Sequence, residues 1–284
     1  MEYYTKLGSI YQRILRICYS VSATLSISNT ERISFPKRMC EVIVIASGKG
    51  GTGKTTVCAG LSVALAKAKK RVLVIDCDSG MRGVDMMLGI SDRLVYDISD
   101  VISGACDPKD AMYQIEGDLE LYCIAAPLHA DDEVSPSLIK RFVNQVRDDF
   151  DVILIDSPAG TGSGFYAAAN AADRALAVVN AEPISIRGCK NIGDRLRELD
   201  ITDCRLIINR FDKERFYQAG LYQDLDEVID EAGMRLIGLI PEEVRVIALS
   251  QRGALANNWS QAAVVFDTIV KRLEGVDVPI VVKH

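Results

Sequence analysis

From Glu41 onward the chain alternates between two hydrophobic periods. Short, nearly continuous apolar runs rich in Val and Ile predict buried strands at Val42–Ala46, Val72–Asp76, Leu121–Ile124, Asp151–Asp156, Ala175–Asn180, Arg205–Asn209 and Leu236–Ile240. Between them lie stretches of helical spacing. One runs from Gly53 to about Lys69, with Leu61, Ala64, Leu65 and Ala68 on one face. Others cover Ser137–Asp149, Phe165–Ala172, Ile186–Leu199, Asp224–Ala232, 244–252 and 259–273, and Leu88–Val101 reads as loop and short helix. Apolar strands separated by helices imply a parallel sheet covered on both faces. The expected fold is therefore one α/β domain over residues 39–284, a mostly parallel sheet of about seven strands with helices on both faces.

Residues 1–38 break this pattern. Leu7, Ile10, Tyr11, Ile14, Leu15 and Cys18 recur at helical spacing, with Lys6, Arg13 and Arg16 mostly off that stripe. This is a short basic amphipathic helix, followed by a serine-rich stretch to Arg38. Three readings stay open: a membrane-surface helix, an organelle transit peptide, or an extension outside the functional protein, which would then start at Met39. In each case the segment is left outside the fold.

Composition narrows the class. Of 284 residues, 49% are hydrophobic and 25% charged, as in ordinary globular domains that build a core without disulfides. The net charge is −6, and residues 1–38 hold six Lys or Arg against two Asp or Glu, so the remainder carries −10. That balance argues against a nucleic-acid partner. The eight cysteines form no C-x-x-C pair and read as small apolar core residues of a reducing compartment. Two histidines, His129 and His284, argue against a zinc site. No run of 18 apolar residues is present to cross a membrane as a helix.

The chemistry begins where the first strand meets the first helix. Ser47-Gly48-Lys49-Gly50-Gly51-Thr52-Gly53-Lys54-Thr55-Thr56 fits G-x-x-x-x-G-K-[ST]. Glycines at such a turn reach positive φ and let the backbone approach a ligand. The N–H groups of the loop and the helix N-terminus then cradle phosphates. Lys54 would reach the β- and γ-phosphates, and the Thr55 hydroxyl would hold Mg²⁺. Lys49 adds a second cation, which is best explained by a second negative centre. Three carboxylates, Asp76, Asp78 and Asp156, fall at the carboxyl ends of strands, where ligands of open α/β sheets sit. Burying them is costly unless they meet a cation or hydrogen-bond donors.

The run Lys49-Gly50-Gly51-Thr52-Gly53-Lys54-Thr55-Thr56 resembles the deviant Walker A motif of the MinD/ParA family of P-loop ATPases. The likeness covers about residues 41–273 and implies a P-loop NTPase domain that binds ATP and Mg²⁺ and hydrolyses ATP. In that family the extra lysine, here Lys49, crosses a homodimer interface to the partner's nucleotide. Asp156 resembles the Walker B aspartate, which usually holds Mg²⁺ through water, and the run from Asp156 to Gly160 resembles switch II, whose glycine N–H meets the γ-phosphate. Asp78 resembles the switch I aspartate that positions the attacking water, with Asp76 as its neighbour near the metal. Asn209 and Arg210 resemble the base-recognition position, and Pro241 and Glu242 the loop that packs against the base. No N-K-x-D run is present, so ATP is preferred over GTP.

The departures matter as much. The stretch from Asp76 to Asp85 follows the MinD pattern D-x-D-x-G-L-R-N-L-D, but Met81 replaces Leu and Gly83 replaces Asn. Arg82 and Asp85 are kept, either for function or as a surface ion pair. Where MinD proteins carry V-R-D-x-D-R, this chain has Ile186-Arg187-Gly188-Cys189-Lys190-Asn191. MinD proteins also end in a basic amphipathic helix that inserts into membrane. Here Phe266, Ile269, Val270 and Leu273 read as core, and Pro279 prevents a further helix. The resemblance implies a slow, partner-stimulated ATPase that places the division site. It would be cytoplasmic, with the inner face of the membrane as a peripheral docking surface. A flagellar regulator, a ParA-like cargo-partitioning ATPase, an iron–sulfur or reductase-type protein and a non-hydrolysing scaffold are the alternatives.

Overall fold

The sheet is built from strands whose successive residues go to opposite faces. The computed structural model describes residues 39–79, 81–115, 117–128, 135–243 and 261–280. The helical segments expected at 6–19 and 244–252 lie outside these residues, as do His129, Trp259 and His284. In β1 (Glu41–Ala46), Ile43 and Ile45 join the core on one face, and Val42, Val44 and Ala46 that on the other. The same split separates Val72 and Val74 from Leu73 and Ile75 in β2 (Val72–Asp76). Every residue of β2 is buried, as the near-continuous apolar run requires of a strand with both faces covered.

Among the described residues, eight strands form one sheet. After β2 come β3 (Tyr113–Gln114), β4 (Leu121–Ile124), β5 (Val152–Asp156), β6 (Arg174–Val179), β7 (Cys204–Phe211) and β8 (Arg235–Pro241), in the spatial order β3-β4-β2-β5-β1-β6-β7-β8. The expected count of seven is corrected by β3, which pairs antiparallel with β4 through Tyr113 and Gln114. Two residues carry no readable period, so only tertiary pairing makes them a strand. All other pairings are parallel. The α/β class and the mostly parallel sheet are as expected.

Among the described residues the α-helices are α1 (Lys54–Lys67), α2 (Gly83–Leu88), α3 (Ile98–Ser103), α4 (Pro136–Val146), α5 (Ser163–Ala169), α6 (Pro183–Glu198), α7 (Lys213–Ala219), α8 (Leu225–Ala232) and α9 (Gln261–Leu273). α1 is buried on nearly all sides, from Val57 to Ala66, because α9 covers the face that the sheet does not. Phe266 of α9 lies so close that a Cβ on Gly60 would come within 2.4 Å of its ring. Ala68, expected on the buried face, is exposed beyond the helix end. Phe266, Ile269 and Val270 are buried as expected. α7 was not anticipated, although Asp212 caps its start by accepting from Arg215 N–H and Gly220 ends it at φ 59°. After α9, the Arg272 guanidinium donates to the carbonyls of Ile237, Val278 and Pro279, fastening that segment beside β8.

Candidate functional site

β1, β2 and β5 are neighbours and parallel, so the segments that follow them emerge at one edge. In register, Asp156 stands opposite Ile45 of β1 and Asp76 of β2. The glycine loop leaves β1 at this edge and enters α1. Gly51 and Gly53 take φ of 80° and 84°, where a side chain would be strained. Gly48 and Gly50 do not, so the positive-φ reading holds for only part of the loop. A Cβ on Gly50 or Gly51 would meet nothing within 4 Å, so their bareness leaves an open cradle. The N-cap of α1 is Gly53, no side chain caps the helix, and its first turn holds no acid. Its first N–H groups are therefore offered to a ligand and not to the chain.

Lys54 reaches over this edge with 6% of its side chain exposed. Its ammonium lies 3.3 Å from Asp156 Oδ1 and 3.8 Å from Asp78 Oδ2. Thr55 stands close enough to favour the charged form of the Asp156 carboxylate. Asp156 is fully buried, and burial raises its pKa, opposed by Lys54 and Thr55. Its Oδ2 and the Thr52 Oγ1 are buried with no hydrogen-bond partner among the described residues. A buried carboxylate with one oxygen free, beside a threonine hydroxyl and an ammonium, fits a divalent cation and a phosphate group.

Asp76 is also fully buried and serves as a brace. Its two oxygens accept the N–H groups of Asp78, at 2.9 Å, and Val84, at 3.3 Å. Burial pushes its carboxyl well above the usual range, as does the charge of Asp156, while these two N–H bonds act against the shift. The brace holds Asp78 at the rim, with 25% of its side chain exposed. A cavity of about 240 Å³ flanked by Asp78, Ser79, Pro158 and Gly162 opens beside it. Gly83 presses on Thr55, where a Cβ would sit 2.9 Å from Cγ2, which accounts for glycine in place of a larger residue there. Arg82 and Asp85 form no surface pair: Asp85 is buried, and Arg82 Nε lies 3.8 Å from it.

Four expected residues also make contacts within the chain. The Gly160 N–H donates to the Ser47 carbonyl at 2.8 Å. Asn209 is buried, and its Nδ2 donates to the Thr52 carbonyl at 2.8 Å, so one amide donor is committed to the loop. Arg210, at φ 53°, places Nη1 3.3 Å from the Gly51 carbonyl. Glu242, just past Pro241 at the end of β8, pairs with Arg215 at 2.8 Å and bonds Phe211 through its N–H. Thr56 is half-buried in the first turn of α1. Lys49 lies on the rim with 40% of its side chain exposed, 3.0 Å from Glu182 Oε2 at the N-cap of α6. Glu182 was missed by the sequence reading, although a carboxylate following β6 and preceding Pro183 lies at the same sheet edge.

Comparison with known proteins agrees with this architecture. Residues 43–256 match the CobQ/CobB/MinD/ParA nucleotide binding domain. The septum site-determining protein MinD of Bacillus subtilis is 34% identical over 247 residues, 85% of this chain and 92% of that protein. A MinC:MinD cell division protein complex from Aquifex aeolicus has a chain 36% identical, with a TM-score of 0.78 over 85% of this chain and 98% of that one. The MinD of Pyrococcus horikoshii complexed with Mg-ADP is 26% identical, with a TM-score of 0.75 over 83% of this chain and 96% of that one. Motif, fold and relatives coincide: the chain belongs to the CobQ/CobB/MinD/ParA family of nucleotide-binding domains and, within it, to the MinD-like ATPases.

Proposed function

We propose that this chain is an ATP-driven dimerisation switch that governs placement of the division septum, hydrolysing ATP to ADP and phosphate with Mg²⁺. The observation that carries the reading is the seating of Lys54 between Asp156 and Asp78, under an uncapped helix N-terminus. A Mg-ADP complex of a related MinD supports the choice of ligands.

Thr55 and Asp156 would hold the cation, which would supply charge neutralisation to the phosphates. The N–H groups of residues 50–56 bind and orient the phosphates. Lys54 places positive charge where the γ-phosphoryl oxygens gain charge. Asp78 accepts a hydrogen bond from the attacking water and orients it, with Asp76 holding the Asp78 backbone in place. Asn209 and Arg210 stiffen the loop from β7, leaving the second amide donor and the amide oxygen of Asn209 for a base edge. Lys49, paired with Glu182 in one chain, would exchange that partner for the nucleotide of a second chain.

A regulatory protein that stimulates turnover and a membrane surface are the further partners of this reading. A MinC:MinD complex among the similar structures supports the first. Among the described residues no helix is long and apolar enough to cross a membrane. The iron–sulfur alternative finds no support, because Cys123 and Cys189 are buried in the core and not presented at a surface.

Light scattering and liposome co-sedimentation with ATP, with ADP and without nucleotide test the proposal. The expected result is an ATP-dependent dimer that hydrolyses ATP, slowly on its own. A chain that stays monomeric with saturating ATP and Mg²⁺ refutes the switch. A dimer that sediments with no vesicles, from Met1 or from Met39, removes autonomous membrane recruitment.

A further inference from the structure

α6 passes the entry of the glycine loop with backbone against backbone. A Cβ built on Gly48 would lie 2.2 Å from both the carbonyl carbon and the oxygen of Gly188. A Cβ built on Gly188 would lie 3.0 Å from the Gly48 carbonyl carbon and 3.1 Å from its Cα and oxygen. Neither residue has positive φ, so backbone conformation does not require glycine at either place. Gly188 sits in the interior of a 16-residue helix, where glycine is disfavoured against alanine by about 1 kcal/mol. Glycine here is unfavourable for the helix and departs from the aspartate of the MinD pattern, and in this chain it brings the helix backbone against the loop.

Gly193, one turn further along α6, makes the contrast. A Cβ there would meet Met234 Cε at 2.7 Å and Arg197 Nη2 at 3.6 Å. Both are far ends of flexible side chains, which can swing away. The atoms facing Gly188 are backbone, and they move only if the loop moves.

We infer that Gly188 is a positioning residue for the phosphate loop: its missing side chain lets α6 seat Gly48, and so sets where the following N–H groups meet the nucleotide. The loop entry is held from other sides as well, which leaves it little freedom to yield elsewhere. Glu182 at the N-cap of α6 pairs with Lys49 at 3.0 Å, the Ser47 hydroxyl donates to the Lys49 carbonyl at 3.0 Å, and Gly160 N–H donates to Ser47 at 2.8 Å. A methyl group at 188 must displace Gly48 by a few tenths of an ångström. The inference rests on the nucleotide reading of this loop and adds a residue more than 130 positions away to it.

The test compares full-length wild type with Gly188→Ala, Gly188→Ser and Gly193→Ala. The readouts are KM and kcat for ATP, the Kd for ADP by calorimetry, and Tm without nucleotide. Gly188→Ala is expected to raise KM for ATP and Kd for ADP together, by about tenfold, with kcat changed far less, since small misplacements of binding groups carry large penalties. Its Tm without nucleotide changes by only a few degrees, because the helix preference of alanine offsets part of the strain of the displaced loop. Gly188→Ser, with the same Cβ, reproduces the affinity loss, and Gly193→Ala leaves affinity unchanged. ADP affinity equal to wild type in Gly188→Ala and Gly188→Ser overturns the inference, as does an equal loss in Gly193→Ala. A wild-type chain that binds no ADP refutes the nucleotide reading itself.

Discussion

The ammonium of Lys49 rests 3.0 Å from the carboxylate of Glu182, 133 residues away, so within one chain the second cation of the loop is already partnered. The pair is half-exposed, 40% for Lys49 and 55% for Glu182. Exposed pairs contribute about 0–1 kcal/mol after solvent screening. Lys49→Ala should therefore leave Tm nearly unchanged while abolishing ATP-dependent dimerisation in light scattering. Full dimerisation by the variant would remove the trans role from Lys49.

Lys54 is the opposite case, because its carboxylate partner Asp156 is fully buried. Removing one partner of a buried pair strands the other charge, at a cost of about 3–5 kcal/mol in typical cores. Lys54→Ala is expected to lower Tm and to reduce kcat/KM for ATP by about 10²–10³, the scale for losing one preorganised electrostatic contact. Lys54→Ala with wild-type turnover would place the chemistry elsewhere.

Asp76 gives the chain a pH dependence whose sign follows from its raised pKa. Burial, and then the neighbouring Asp156, disfavour the charged form in the folded state. The stabilising contribution is complete below the ordinary carboxylate pKa and is lost as pH rises through the higher folded value. Without metal or nucleotide, wild-type Tm should fall relative to Asp76→Asn as pH rises above the ordinary carboxylate range. Parallel Tm profiles for the two proteins would contradict this.

Asn209 separates two uses of one amide. Asn209→Ala deletes the donor to the Thr52 carbonyl, and leaving that buried acceptor unmet costs about 1–3 kcal/mol. If the amide also reads adenine, the preference for ATP over GTP in competition binding drops as well. A fall in Tm with unchanged ATP/GTP discrimination would assign Asn209 to loop support alone.

Much of the site was legible because its demands are local. The spacing of Gly53, Lys54 and Thr55 is set by one turn, and the carboxylates ending β2 and β5 each by the few residues of its own strand end. Alternation along β1, β2 and β5 likewise divides residues between two cores without knowledge of what covers them. The exposed fate of Ala68 and the strand at Tyr113–Gln114 were not legible, since a helix end and a two-residue pairing depend on neighbours distant in sequence.

By itself, the sequence determined an α/β sheet with a phosphate loop, and the residue types that make such a loop hydrolytic. Only the tertiary structure decided which groups answer each other across the sheet edge. Lys49 meets Glu182, Gly48 meets Gly188, Gly160 meets Ser47, and Asn209 meets Thr52. The physical reason is strand order. β1 lies between β5 and β6, with β7 beyond, so segments more than a hundred residues apart leave the sheet at one edge and must fit there.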